Sequence, residues 1–282
     1  MHPRFPAGPR PLLLGMVHVG ALPGTPFARA PLADLVATAV AEAQALRAAG
    51  FGGVLLENMH DRPYLKGHVG PEITAAMTVV AGAVRAALGP GYPLGLQILA
   101  GANAEAVAVA HAAGLDFVRA EGFAFGHLAD EGLFDACAGP LLRYRRAIGA
   151  ERVAIWADIQ KKHSSHAISA DLTLHDWAHG AEFLGADVLV VTGTATGEAA
   201  AVDDLRAVKA ATRLPVAIGS GITPDNAADY ATADAWIVGS SLKVDGAWAN
   251  PLDAQRVRRL HAAWAALGRG PRATPGRRVR RR

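Results

Sequence analysis

Eight short apolar runs, each followed by a stretch of helical periodicity, recur along the chain, and this alternation restricts the fold more than any other feature. The runs are residues 12–17, 53–56, 94–99, 117–119, 153–157, 188–191, 216–218 and 235–238. All are too short for helices, and most are rich in Val, Ile and Leu, the pattern of strands buried on both faces of a parallel sheet. Ala-rich amphipathic segments separate them. Residues 32–49 place Leu35, Val36, Ala39, Val40, Ala43 and Leu46 on one stripe. Gly50, Gly114 and Gly185 stand where helices should end, before the second, fourth and sixth runs. Asn103 and Asp171 are expected N-caps, and Thr223-Pro224-Asp225-Asn226 sets a proline to open a helix after the seventh run. Even alternation, with no GxGxxG after the first run, favours a closed (β/α)8 TIM barrel of one domain over a doubly wound sheet.

The expected division is an N-terminal extension over 1–11, the barrel over 12–267, and an Arg-rich tail over 268–282. Hydrophobic residues make up 51% of the 282 and charged residues 19%, enough apolar matter for one large core. No apolar run reaches the roughly 20 residues that cross a bilayer, so no integral membrane contact is expected. Arg4 and Arg10 before Leu12-Leu13-Leu14 resemble a signal peptide faintly, but His18 interrupts the stretch and a first strand is the better reading. A lone cysteine, Cys137, excludes a disulfide framework within one chain and fits a reducing, cytoplasmic setting. The formal charge of +3 conceals an asymmetry. From 269 to 282 there are seven arginines and no acids, which leaves 21 basic against 25 acidic residues in the body, about −4. Such a body does not bind nucleic acid, and the tail is expected to stay unfolded. Ala-rich outer helices would also suit a homo-oligomer.

In a (β/α)8 barrel the active site is built from the C-terminal strand ends and the loops after them. The sixth run ends in Thr192-Gly193, the seventh in Gly219-Ser220-Gly221 and the eighth in Gly239-Ser240. Glycines let the backbone approach an oxyanion, and free N–H groups and hydroxyls donate to it, so these ends predict a phosphate cradle and a small phosphorylated ligand. The other ends carry His18, Glu57, Asn58, Asp61, Gln97, Arg119, Glu121, Asp158, Lys161, Lys162 and His163. Carboxylates facing one basin push each other's pKa values apart, which suits acid–base chemistry. Glu57, Asp61, Glu121, Asp158, Lys162 and His163 are therefore the candidate catalytic residues, with His18, Asn58, Gln97 and Arg119 completing the basin. Inward charges in barrels also pair simply to hold strands together, and Glu57 or Glu121 with Arg119 would serve that purpose. No cofactor or metal is specified; a divalent metal on Glu57, Asp158 or His163 is the alternative. His175 and His179, four apart on an outer helix, read as surface residues.

Met16-Val17-His18 with Leu22-Pro23-Gly24-Thr25-Pro26 resembles the opening signature of the BtpA/SgcQ family. So do Glu57-Asn58 with Asp61 and Pro63, Ala157-Asp158 with Lys162-His163, Thr192-Gly193 with Thr196-Gly197, Gly219-Ser220-Gly221-Ile222-Thr223 with Asn226, and Gly239-Ser240-Ser241-Leu242-Lys243 with Asp245-Gly246. The resemblance spans about 12–265. It implies a ribulose-phosphate-binding type of barrel, and it adds weight to His18, Glu57, Asn58, Asp61, Asp158, Lys162 and His163. One branch of the family is named for photosystem I biogenesis, which implies a non-catalytic assembly role as the alternative to an enzyme. Two positions depart from the family pattern: Ala100-Gly101-Ala102-Asn103 where an Arg-Asn is usual, and Arg119-Ala120-Glu121 where Arg-Val-Asn is usual. The second departure puts a carboxylate at the mouth in place of an amide.

Overall fold

Strand side chains alternate between two faces, so a closed ring of strands sorts every second residue to its interior. The computed structural model, which describes residues 10–161, 163–193 and 198–267, has such a ring. Its eight parallel strands are β1 (Leu12–His18), β2 (Gly53–Glu57), β3 (Leu94–Gln97), β4 (Phe117–Ala120), β7 (Ala154–Ile159), β9 (Val188–Val191), β10 (Val216–Ile218) and β11 (Ala235–Val238). They close in the order β1-β11-β10-β9-β7-β4-β3-β2. The expected (β/α)8 barrel is what forms. Lys162, Thr196-Gly197, the residues before 10 and the tail from 268 lie outside the described residues.

The two faces carry two separate cores. Leu14, Met16, Leu55, Phe117, Trp156, Val188, Val190, Ala217 and Ile237 fill the interior. The alternate positions, among them Leu13, Val17, Leu56, Val118, Ile155, Leu189 and Trp236, pack outward against the helices. Inside the ring the Phe117 and Trp156 rings stack at 4.2 Å. Gly95, paired in register with Phe117, makes room for them, since a Cβ there would sit 2.2 Å from the Phe117 ring.

The helices are α1 (Leu32–Ala48), α2 (Pro71–Leu88), α3 (Asn103–Ala113), α4 (Ala138–Ala147), α5 (Leu174–Phe183), α6 (Val202–Ala211) and α7 (Ala254–Ala266). Gly50, Gly114 and Gly185 follow α1, α3 and α5 with φ of 90°, 73° and 91°, as glycine stop signals should. Three local expectations differ. Asn103 is the first residue of α3 rather than its cap, because its amide turns inward to donate to the Glu121 carbonyl at 2.7 Å. Thr173, not Asp171, caps α5, through a reciprocal box with Asp176. After β10 there is only a single 3-10 turn, Ala227–Tyr230, because Asn226 folds back to hold Thr223 N–H and the Gly221 carbonyl instead of starting a longer helix.

One element has no counterpart in the sequence reading. Between β4 and α4 the chain makes a hairpin of β5 (His127–Ala129) and β6 (Gly132–Phe134), and β8 (Ser164–Ser165) adds to it in the order β6-β5-β8. This small antiparallel sheet stands over one side of the barrel mouth. Among the described residues α2 is the one helix long and apolar enough to cross a membrane by length and composition. Ile73, Met77, Val80, Val84 and Leu88 on it are nevertheless buried against the barrel layer.

Two glycines give opposite expectations. Gly95→Ala drives a methyl into the Phe117–Trp156 stack and should lower stability by about 1–3 kcal/mol. Gly82→Ala, mid-helix in α2 with no heavy atom near the added Cβ, should raise it by about 0.5–1 kcal/mol. Urea unfolding of both variants checks the pair, and equal signs would refute the packing argument.

Candidate functional site

The alternation that fills the barrel continues past the apolar layer into a polar one. Two residues beyond Met16 comes His18, beyond Leu55 comes Glu57, beyond Gly95 comes Gln97, and beyond Phe117 come Arg119 and Glu121. Asp158 follows Trp156, Thr192 follows Val190, Gly219 follows Ala217 and Gly239 follows Ile237. Glu57, Gln97, Arg119, Glu121 and Asp158 are all buried. Charges in such a place must be compensated, and they are. Arg119 Nε donates to Asp158 Oδ1 at 2.9 Å, and its Nη1 reaches the Gly219 carbonyl at 3.5 Å. Burial, the largest single influence, would lower the Arg119 pKa, but Asp158, by charge and hydrogen bond, with Glu57 and Glu121 behind it, raises it on balance, so the guanidinium stays a cation. His18 meets the Trp248 carbonyl through Nδ1 at 2.9 Å and sets Nε2 3.6 Å from Glu57 Oε2.

This polar layer floors a basin with two ends. The first, a cavity of about 200 Å³, is lined by His18, Glu57, Arg119, Gly219–Thr223, Gly239–Ser241 and Arg256. The second, about 160 Å³, is lined by Glu57, Gln97, Arg119, Glu121, Asp130, Glu131, Asp158, Lys161 and His163. Both share Glu57, Met59 and Arg119, so they adjoin. Together they fall near the lower end of the ~300–1,000 Å³ usual for small-ligand sites.

The first end brings together the strand ends expected to form a cradle, Gly219–Gly221 and Gly239–Ser240. Gly221 has φ 74°, and a Cβ there would lie 2.2 Å from Ala199 Cα, so only glycine fits. A Cβ at Gly239 would stand 3.2 Å from the His18 ring. The Ser220 hydroxyl donates to the Glu198 carbonyl and accepts from Gly193 N–H, both at 3.0 Å, and the Ser241 hydroxyl donates to the Ile222 carbonyl at 2.7 Å. These hydroxyls therefore brace the loops. Among the described residues the N–H groups of Ser220, Gly221, Gly239 and Ser240 donate to no backbone carbonyl. Thr192 and Gly193 stand behind the cradle and line neither cavity. Lys243, part of the same signature, is not a site residue. It is almost fully buried and holds both Glu42 carboxylate oxygens at 2.8 and 2.9 Å, pinning the loop after β11 to α1.

At the second end Lys161 Nζ lies 3.3 Å from Glu131 and 3.9 Å from Glu121, with the Phe134 ring 5.2 Å beneath it. Of Lys161 and Lys162, which the sequence does not separate, Lys161 lines the basin, and Lys162 lies outside the described residues. Burial raises the Glu121 carboxyl to about 7, with Asp158 and Glu57 pushing the same way and Lys161 and Arg119 pulling it down. His163 lines this end too. No group of three His, Cys, Asp or Glu side chains among the described residues is arranged to hold a metal. His175 and His179 lie on the exposed side of α5.

Asn58 and Asp61 serve the scaffold beside the basin. Asp61 accepts from Leu22 N–H at 2.8 Å and from the Asn58 amide at 2.9 Å, while Asn58 Oδ1 accepts from Leu99 N–H at 2.7 Å. One side-chain pair thus ties together the loops after β1, β2 and β3. Burial raises the Asp61 pKa in spite of these bonds. Three residues at the basin had no signal strong enough to single them out: Arg256, Asp130 and Glu131. Arg256 sits in the first turn of α7, where an outer-ring helix is expected to face away from the mouth. The long loop after β11 swings that turn back over the cradle. The two acids ride on the hairpin tip, an element the periodicity does not reveal.

Glu121 gives a pH prediction. Its folded pKa is raised above the ordinary carboxyl value of 4.5, so the proton is held more tightly in the folded state. The associated stability is complete below about pH 4.5 and is lost as pH rises through about 7. Glu121→Gln should therefore gain on the wild type between pH 5 and 8, by roughly 3 kcal/mol at most. Chemical denaturation at pH 5, 6, 7 and 8 reads the difference, and a constant gap across that range would contradict the assignment.

Comparison with known proteins agrees with this geometry. The BtpA family model matches residues 10–265. A Caenorhabditis elegans protein described as uncharacterized and mitochondrial is 46% identical over 251 residues, 88% of this chain and 91% of the relative. The photosystem I biogenesis protein BtpA of Synechocystis is 34% identical over 247 residues, 87% and 85% of the two chains. Among solved structures, 3-hexulose-6-phosphate synthase from Salmonella typhimurium superposes with a TM-score of 0.56 at 18% identity, covering 90% of this chain and 99% of that one. KGPDC from Streptococcus mutans, solved in complex with ribose 5-phosphate, gives 0.56 at 12% identity, covering 91% and 99%. The solved structures share the barrel. The family model's match to nearly the whole described chain, together with the Synechocystis relative, makes this protein a member of the BtpA family.

Proposed function

We propose that this protein is an enzyme that binds a small phosphorylated sugar or related phosphorylated metabolite, with the phosphate in the cradle after β10 and β11 and proton transfer at the opposite end. The observation that carries the reading is the juxtaposition itself. Backbone N–H groups at two adjacent strand ends, with Arg256 beside them, adjoin a basin of buried ionisable side chains. A binding protein needs the first of these and not the second. Barrels commonly bind phosphate after their seventh and eighth strands, and β10 and β11 hold those places here. A structural neighbour that was solved with ribose 5-phosphate supports the same ligand class.

In this reading the cradle amides and Arg256 anchor the phosphate, which delivers the carbon chain across His18 and Glu57 toward Arg119 and Asp158. Glu121, Glu57 and Asp158 supply carboxyl groups held in different environments, with Lys161 and His163 as neighbouring donors. A group poised near pH 7, as Glu121 is, can both give and take a proton in one cycle. Isomerisation, aldol-type cleavage and glycosidic-bond cleavage all use such a set. Asp61 contributes by fixing the loops that hold Glu57 rather than by meeting the substrate. The name of the Synechocystis relative supports a second reading, a non-catalytic role in photosystem I biogenesis. For that role the exposed Leu128, Leu133 and Ile168 near the mouth offer an apolar contact surface.

Thermal unfolding against inorganic phosphate and a panel of sugar phosphates, with sulfate and chloride at matched ionic strength, tests the cradle. A ligand at about 100 times its dissociation constant should add about 2.7 kcal/mol of stability. Ser240→Asp, a part-exposed position where a carboxylate faces the anion, should abolish the shift while leaving the unliganded melting temperature within a few degrees. Arg256→Ala should weaken phosphate binding by about tenfold, as loss of one charged contact does. If no phosphorylated compound shifts the wild type beyond the salt controls, the assembly role becomes the better reading.

A further inference from the structure

The far end of the basin says what kind of group it receives, an inference that rests on phosphate occupying the cradle. Five carboxylates, from Glu57, Glu121, Asp130, Glu131 and Asp158, line it against two permanent cations, Arg119 and Lys161, and the imidazole of His163. The cations are already engaged, Arg119 by Asp158 at 2.9 Å and Lys161 by Glu131 at 3.3 Å. Two buried acceptors in the same wall, Gln97 Oε1 and Glu121 Oε2, have no hydrogen-bond partner among the described residues. Their side chains are only 2% and 5% exposed as residues, so bulk water does not satisfy them. Buried acceptors in folded proteins are paired as a rule, and here the cavity itself is where the missing donors must stand.

We propose that this basin selects monophosphates whose end remote from the phosphate carries hydroxyl or ammonium donors, and rejects bisphosphates and phosphorylated carboxylic acids. The polarity of the two ends carries the selection. The cradle offers N–H donors and Arg256 to an anion. Across the mouth, a second anionic group would meet an excess of carboxylates with no uncommitted cation among the described residues, and it would bring no proton to Gln97 or Glu121. A hydroxyl or an amine supplies both acceptors and meets no repulsion. Discrimination here rests on like-charge juxtaposition and unfilled acceptors, which penalise the wrong ligand more than they reward the right one.

Titration calorimetry of the full chain, in EDTA, with inorganic phosphate, ribose 5-phosphate, glucosamine 6-phosphate, ribulose 1,5-bisphosphate and 6-phosphogluconate tests it. Ribose 5-phosphate or glucosamine 6-phosphate should bind at least about tenfold more tightly than either compound with an anionic far end. The double variant Asp130→Asn/Glu131→Gln, at the hairpin tip, should narrow that gap to about threefold or less while leaving inorganic phosphate binding unchanged. Tight binding of the bisphosphate or the phosphogluconate by the wild type, or a gap untouched by the double variant, overturns the selectivity and leaves the cradle standing. So does a ranking that reverses when magnesium is added, because the carboxylates would then be metal ligands. No binding of any phosphate compound overturns the cradle and this inference together.

Discussion

Closing eight parallel strands into a ring forces every second side chain into one narrow interior, and what fills it decides what can stand above it. Phe117 and Trp156 stand there as a stacked pair among other apolar side chains, and Gly95 gives up its side chain to admit them. The barrel is thereby solid to that level and water is excluded from below. The next residues in the alternation, Glu57, Gln97, Arg119 and Asp158, have an apolar floor beneath them and can reach water only from the mouth. Their electrostatic interactions are strong because of where the aromatic plug leaves them.

Within that layer the Arg119–Asp158 pair is the central compromise. Neither ion would survive alone at such burial, and each is a strand-end residue that the fold cannot turn away. By neutralising one another they leave the outlying carboxylates to set the local field. Glu121 is pushed toward neutrality chiefly by burial, with Asp158 and Glu57 adding to it, while Lys161 keeps it from being driven further. The cradle side follows the opposite logic. It holds few charges and relies on backbone groups kept in place by spent hydroxyls, by Asn226 and by the Lys243–Glu42 clamp.

The fold was legible because its signal is repeated eight times, and each repeat needs only local information: a short apolar run, a helical period, a glycine stop. The glycine-bearing strand ends were legible for a related reason, since glycine at a strand end, as at Gly221, is a backbone requirement that any neighbour must respect. Side-chain roles were less so. Asn58 and Asp61 look like basin residues, yet their bonds run sideways, from Asp61 to Leu22 and from Asn58 to Leu99, partners 39 and 41 positions away. Ser220 and Ser241 look like anion donors, and their hydroxyls are taken by carbonyls of adjoining loops. Arg256 shows the converse, a residue on an outer helix brought to the mouth by the path of the preceding loop. In each case the deciding partner comes from another β–α unit, and periodicity within one unit carries no trace of it. The hairpin of β5 and β6 escaped for want of length, with three residues in each strand.

That hairpin has a consequence for how such a barrel can change over evolutionary time. Because β8 pairs with β5, the loops after β4 and β7 form one hydrogen-bonded sheet, and Glu131 and Lys161 are set by the same register. An insertion or deletion in either loop would shift the pairing and displace both groups at once. Drift in substrate preference at this side of the mouth must then proceed by exchange of side chains on a fixed frame. The loops on the cradle side, joined among the described residues by side chains such as Ser220 and Ser241, are freer to vary in length.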